Sequence, residues 1–150
     1  MQLTWISKPF EELSTEELFK IIFLREHVFV VEQKCAYQDC DYKDLDSYHL
    51  MGWYGDELVA YLRIIKAGIS YKEVSIGRVV VSPEHRKKGL GFLLMQEGIR
   101  VALAKYNSGI IRISAQQYLI PFYESLSFST TGEGYLEDDI PHIEMVYGEG

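Results

Sequence analysis

The chain has 150 residues, which one domain with its own buried core accounts for, and its 47% apolar and 25% charged residues are ordinary for a globular protein. A formal net charge of −7 speaks against nucleic acid as the main partner and favours a cationic one. No apolar run approaches the roughly 20 residues of a membrane helix, no signal-peptide pattern opens the chain, and Cys35 and Cys40 are too few for a disulfide framework, so the expectation is a cytoplasmic protein with free thiols and no membrane partner.

No repeat or linker divides the sequence, so residues 1–150 read as a single domain. Leu3 to Ile6 alternate loosely, as a first strand would. Ser14-Thr15-Glu16-Glu17 has capping-box spacing, and Leu18, Ile21, Ile22 and Arg25 continue a helix whose apolar side Phe19, Phe23 and Leu24 widen. The run Val28-Phe29-Val30-Val31-Glu32-Gln33 then turns β-branched, which predicts that the helix ends there. Residues 35–46 are acidic and aperiodic, and they read as a solvated loop beside a substrate mouth. Asp39, Asp41, Asp44 and Asp46 lack the glycine and glutamate of a calcium loop, and Cys35, Cys40 and His49 lack zinc spacing, so no metal is expected.

Residues 49–54 and 57–65 form two strand-like runs joined by Gly55-Asp56, a hairpin signal, and residues 74–81 form a third. Ser82-Pro83 closes that third run, because proline has no backbone donor. From Leu90 through Leu94 and Met95 to Ala102, apolar residues recur at helical spacing, and Asn107-Ser108-Gly109 stops them. Residues 110–114 are a further strand, 121–128 a helix of two turns at most, and 131–136 with 143–147 a final antiparallel pair. Strand, helix, three strands, helix, strand, helix, two strands: the order is that of a mixed α/β fold in three layers.

Between the third of these runs and the long helix lies Arg86-Lys87-Lys88-Gly89-Leu90-Gly91. The first N–H groups of a helix have no internal partner, the helix dipole favours negative charge there, and glycine lets an anion approach the backbone. The spacing is neither that of a Walker loop nor that of the dinucleotide fingerprint. Arg-x-x-Gly-x-Gly after a valine-rich strand resembles instead the pyrophosphate loop of the GNAT superfamily of acyl-CoA-dependent N-acyltransferases. The likeness extends over nearly the whole chain. Phe122-Tyr123-Glu124-Ser125-Leu126-Ser127-Phe128 resembles the family's Phe-Tyr-Glu-x-Leu-Gly-Phe run. Val28 to Gln33, Tyr37-Gln38-Asp39, Asp41, Ala60-Tyr61, Ile76 to Val79, Ser114-Ala115-Gln116 and Glu137 to His142 look like the ElaA-type branch. Two residues depart from the family pattern: Ser127 stands where glycine is usual, and Gln116 where an asparagine usually contacts the cofactor arm.

The resemblance implies a GNAT-type three-layer α/β fold, with helices on both faces of a mixed, mostly antiparallel sheet that is splayed in the middle to hold acetyl-CoA. It assigns the cofactor arm to the backbone of Val79, Val80 and Val81 and to Gln116. The pyrophosphate falls to Arg86, Lys87, Lys88, Gly89, Leu90, Gly91 and Phe92. An N–H near Val80 would polarise the thioester carbonyl. Tyr123 becomes the acid for the leaving thiolate. The base is left among Glu32, His142 and a water chain. Arg78, inside an apolar strand, is expected to pair with a carboxylate. Glu32, Asp39, Asp41 and Asp44 on one side, and Glu137, Asp138, Asp139 and His142 on the other, would give an acidic cleft that draws in a cationic amine. A non-catalytic acyl-CoA sensor and an acyl-homoserine-lactone-synthase-like transfer are the alternatives, and a homodimer is left open.

Overall fold

A computed structural model describes residues 2–148. These residues form strands β1 (Thr4–Pro9), β2 (Ser47–Tyr54), β3 (Glu57–Ile65), β4 (Val74–Val81), β5 (Ile111–Gln116), β6 (Phe128–Glu137) and β7 (Ile140–Tyr147). They form helices α1 (Thr15–Arg25), α2 (Leu90–Tyr106) and α3 (Ile120–Glu124) as well. The sheet runs β1-β2-β3-β4-β5-β7-β6, antiparallel throughout except for the parallel neighbours β4 and β5.

Helix α1 begins at the expected capping box. Ser14 Oγ accepts the Glu17 N–H at 3.0 Å, and the Ser14 N–H donates to Glu17 Oε1 at 2.8 Å. On one face of the sheet, Ile21 and Leu24 of this helix pack with Met51, Leu58, Tyr61 and Val80. On the other face, Leu90, Leu94, Met95 and Ile99 of α2, with Tyr123 of α3, pack with Leu62, Ile64, Ile76 and Ile113. Each fully buried aliphatic side chain of this kind contributes about 1.5–3 kcal/mol. Strand β3 is covered on both faces, so apart from Arg63 it runs apolar without alternation from Leu58 to Ile65. Gly98 sets the distance between α2 and the sheet, since a Cβ there would lie 2.6 Å from Leu62 Cδ2.

The β-branched run does not end the first helix. Glu26–Glu32 continue it as a π-helix, in which the Gln33 N–H donates to the Val28 carbonyl and the Cys35 N–H to the Val30 carbonyl, each at 3.1 Å. Val28 is buried against the α1 side of the sheet. That burial outweighs the roughly 0.5 kcal/mol by which each β-branched residue disfavours helix.

Strands β4 and β5 pair only through Val74–Ile111 and Ser75–Arg112, and then part. Against β3, strand β4 carries a bulge: Arg63 faces Gly77 and Tyr61 faces Val80, leaving Leu62 opposite both Arg78 and Val79. Arg78 takes a left-handed φ of 53° in that bulge. The sheet is thus open at its centre, as expected.

Candidate active site

The gap between β4 and β5 is a cleft of about 160 Å³. Ile76, Gly77, Arg78 and Val79 line one wall, and Ile113, Ser114 and Gln116 the other. Tyr123 of α3, Phe29 and Tyr37 from the π-helix and the loop after it, and Glu137, Asp138 and His142 from the β6–β7 hairpin complete the lining. Of the residues assigned to the cofactor or to catalysis in the sequence, Val79, Gln116, Tyr123 and His142 meet here, and with them Arg78, Glu137 and Asp138.

Tyr123 is buried, with its ring edge-on to Phe122 at 5.1 Å and to Phe128 at 5.8 Å. Burial, with a smaller effect from Tyr118, pushes its phenol up to about 12, so it holds its proton at neutral pH. The Nδ1 of His142 lies 2.7 Å from the Ile140 carbonyl oxygen. A carbonyl only accepts, so in the neutral ring Nδ1 carries the proton and Nε2 keeps a lone pair.

Along β4, the Ser82 N–H donates to the Val59 carbonyl at 2.8 Å. Residues two apart in an antiparallel ladder point the same way, so the Val80 backbone turns toward β3, while Val79 and Val81 face the open edge. The N–H expected near Val80 for the thioester oxygen is therefore that of a neighbour. At the strand's end, Lys87 (φ 64°) and Gly89 (φ 73°) are left-handed, and Gly89 is the residue that opens α2. Lys87 and Lys88 are exposed, whereas the side chains of Leu90 and Phe92 pack into the core and leave only their backbone to an anion.

Glu32 lies elsewhere. Its carboxylate takes a bidentate pair of hydrogen bonds from Arg86, at 2.7 and 2.9 Å. That hydrogen bonding, more than the Arg86 charge itself, holds it below the usual carboxylate range. A carboxylate so held is a weak base, and it sits with Arg86 rather than in the cleft that holds Tyr123.

The loop after the π-helix is exposed along most of its length, but two of its aspartates are not solvated, contrary to the sequence expectation. Asp39 and Asp44 are buried, and they meet Arg25, itself 1% exposed. Arg25 Nε donates to Asp39 Oδ2 at 2.7 Å, and Nη1 donates to Asp44 Oδ1 at 2.7 Å. Arg63 donates to Asp41 at 2.6 Å and to Asp44 at 2.9 Å. Arg78 pairs with Asp39 at 2.9 Å, which gives it the carboxylate partner expected of it. The buried Tyr61 hydroxyl bonds His49 Nδ1 at 2.7 Å, and His49 Nε2 donates to the Asp44 carbonyl at 2.8 Å. Burial would raise the pKa values of Asp41 and Asp44, but Arg63 and Arg25, respectively, hold them below normal. Arg25, Arg63 and Arg78 balance Asp39, Asp41 and Asp44 one for one, so half of the expected acidic cleft is neutralised. On the opposite side Glu137 and Asp138 line the cleft, Asp139 does not, and residues 132–147 contain no lysine or arginine.

Among the described residues no group of three or more His, Cys, Asp or Glu is arranged to hold a metal ion, and no helix is long and apolar enough to cross a membrane.

The sequence profile of the Acetyltransferase (GNAT) domain matches residues 11–148. The chain belongs to this family. It is 41% identical to Protein ElaA of Escherichia coli over 95% of each chain. The crystal structure of E. coli ElaA covers 97% of this chain and 99% of its own, with a TM-score of 0.91 at 40% identity. A UPF0039 protein of Schizosaccharomyces pombe is 43% identical over 95% of each chain. The crystal structure of an acyl-CoA N-acyltransferase from Pseudomonas aeruginosa is similar at 42% identity, with a TM-score of 0.93 over 98% of this chain and 100% of that one. The fold is that of the GNAT acyl-CoA N-acyltransferases, in an ElaA-like form, and the splay between β4 and β5 is where that fold opens.

Reading the loop residues alone missed the ion-pair cluster, since Arg63 and Arg78 lie far along the chain. A usable signal was present: two arginines inside otherwise apolar strands need partners. Tyr37 and Ser114 stood in the ElaA-like runs, but nothing local pointed to their place in the cleft.

Proposed function

We propose that the chain works as one acetyltransferase domain in the cytoplasm, moving an acetyl group from acetyl-CoA to a cationic primary amine by direct attack in a ternary complex. The observation that carries this reading is the meeting, at the open edge of β4, of a buried protonated Tyr123 with a His142 whose Nε2 lone pair is uncommitted. Bound acetyl-CoA supplies the thioester carbon that the amine attacks. The backbone groups at Val79 and Val81 suit the amides of the cofactor arm and the charge that develops on the thioester oxygen. Gln116, on the opposite wall, suits the same arm. The N–H groups from Arg86 to Phe92, with Lys87 and Lys88, suit the pyrophosphate.

Three proton transfers complete the reaction. An alkylamine has a pKa of about 10.4 in water and enters protonated. His142 Nε2 takes its first proton, the Tyr123 hydroxyl gives one to the leaving sulfur, and the second proton that the acylated nitrogen sheds restores the Tyr123 hydroxyl. Glu32 is left out of the base role because Arg86 occupies its carboxylate. The preference for a cation rests on Glu137 and Asp138.

The test is release of CoA thiol from acetyl-CoA with a panel of amines, polyamines and amino acids. Cationic acceptors are expected to turn over, with kcat/KM falling as salt rises. Turnover of neutral or anionic amines alone, indifferent to salt, would overturn the acceptor assignment. CoA binding without turnover of any amine would favour a sensing module.

A further inference from the structure

We propose that Glu137 and His142 form a proton-accepting dyad for the acceptor amine, in which His142 takes the proton and Glu137 holds the resulting imidazolium. The inference deepens the acetyltransferase reading above and rests on it. The two residues lie near the tip of the β6–β7 hairpin, whose register sets Tyr135 opposite His142 and Glu137 opposite Ile140. His142 is 6% exposed, stacks on Tyr135 at 6.2 Å, and is pinned at Nδ1 by the Ile140 carbonyl. Gln117 Nε2 donates to its main-chain carbonyl at 3.0 Å, which fixes the strand beneath the ring. A ring held this way can exchange a proton only at Nε2, the nitrogen that faces Glu137.

Glu137 Oε2 lies 3.7 Å from His142 Nε2, and Glu137 Oε1 accepts a hydrogen bond from Ser114 Oγ at 3.2 Å. In the neutral ring Nε2 has no proton to give the carboxylate, and the spacing is short enough to favour the charged ring. In the step itself, an N–H bond of the ammonium breaks, its proton bonds to Nε2, and the electron pair left on the amine nitrogen attacks the thioester. The positive charge moves from the amine to the imidazole, beside a carboxylate already in position. Among the other cleft-lining residues, the titratable or charged groups are Asp138 on the hairpin, Arg78 on β4, Tyr123 on α3, and Cys35 and Tyr37 on the loop. Arg78 is already matched by Asp39 and Asp41, so Glu137 is the group whose charge acts on Nε2 at short range. Glu137 is thus a positioning residue that works through His142.

Glu137→Gln is isosteric at a half-exposed side chain and is expected to fold. Two readouts decide the matter. In turnover, kcat should fall about 10-fold or more in Glu137→Gln, and the acidic limb of the kcat/KM profile should move to lower pH, with the KM for acetyl-CoA unchanged. Glu137→Asp, which keeps the carboxylate, should recover most of the lost rate. If the wild type turns over an amine while Glu137→Gln keeps its kcat and its pH–rate profile, the dyad is wrong and the acetyltransferase reading survives. If the wild type releases no CoA with any amine, that reading fails and the dyad fails with it.

Discussion

Replacing Tyr123 with phenylalanine is expected to lower turnover by roughly 10²–10⁴-fold while leaving CoA affinity near its original value. The ring is wedged against Phe122 and Phe128, and the substitution keeps both contacts, so the fold should be indifferent to it. What disappears is one proton. Because burial drives the phenol up to about 12, that proton is present across neutral and mildly alkaline pH, and the wild type should show no basic limb from this group there. Single-turnover kinetics with an accepted amine, beside a calorimetric titration with CoA, separates the chemical step from binding. An unchanged rate would mean that solvent or another group protonates the sulfur.

Replacing Arg25 with alanine is expected to cost about 3–5 kcal/mol of stability, the usual consequence of removing one partner from a buried ion pair. Arg25 is 1% exposed, and besides its three bonds to the Asp39 and Asp44 carboxylates it donates from Nη2 to the Asp39 carbonyl at 2.9 Å. Without it, Asp39 and Asp44 are left in the interior with only Arg63 and Arg78 nearby. The pH dependence has a definite sign. Asp41 and Asp44 have folded pKa values below the ordinary value of about 3.9. Their stabilisation is therefore fully present above that value, and it is lost as pH falls through the lower folded pKa. Denaturant melts from pH 7 to pH 2 should show the wild type losing stability at the acid end, and Arg25→Ala losing less because less is left to lose. A variant as stable as the wild type would mean that desolvation already cancels what the cluster gains.

The features legible in the sequence are those whose chemistry is local. Ser14 and Glu17 are three residues apart and cap the same turn; Gly55-Asp56 joins two strands it touches; Gly89 opens the helix it precedes. The basic turn from Arg86 to Gly91 was legible for the same reason, since strand, turn and helix follow one another directly. The illegible features depend on distant partners. The Glu32 carboxylate reads as a free base until Arg86, across the mouth of the fold, is seen to hold it. The aspartates of the loop read as solvated until Arg25, Arg63 and Arg78 converge on them. The π-helix at Glu26–Glu32 was hidden because local propensity favours strand there, and only the packing of Val28 reverses that preference. Tyr123 and His142 were named from a resemblance; that they share a cleft follows from the splay of β4 and β5, which no local pattern encodes.

The proposed chemistry requires above all that the loop between β4 and α2 hold the CoA pyrophosphate. Calorimetric titration with CoA tests this directly, on the wild type, on Gly89→Asp and on Gly89→Ala. Both substitutions load the left-handed φ of 73° with a side chain, a cost of about 1 kcal/mol, but only the aspartate brings a negative charge to the helix N-terminus. Saturable single-site binding is expected of the wild type, weakened binding of Gly89→Ala, and none of a folded Gly89→Asp. A wild type that does not bind CoA, or a folded Gly89→Asp that binds it undiminished, would contradict that assignment of the loop.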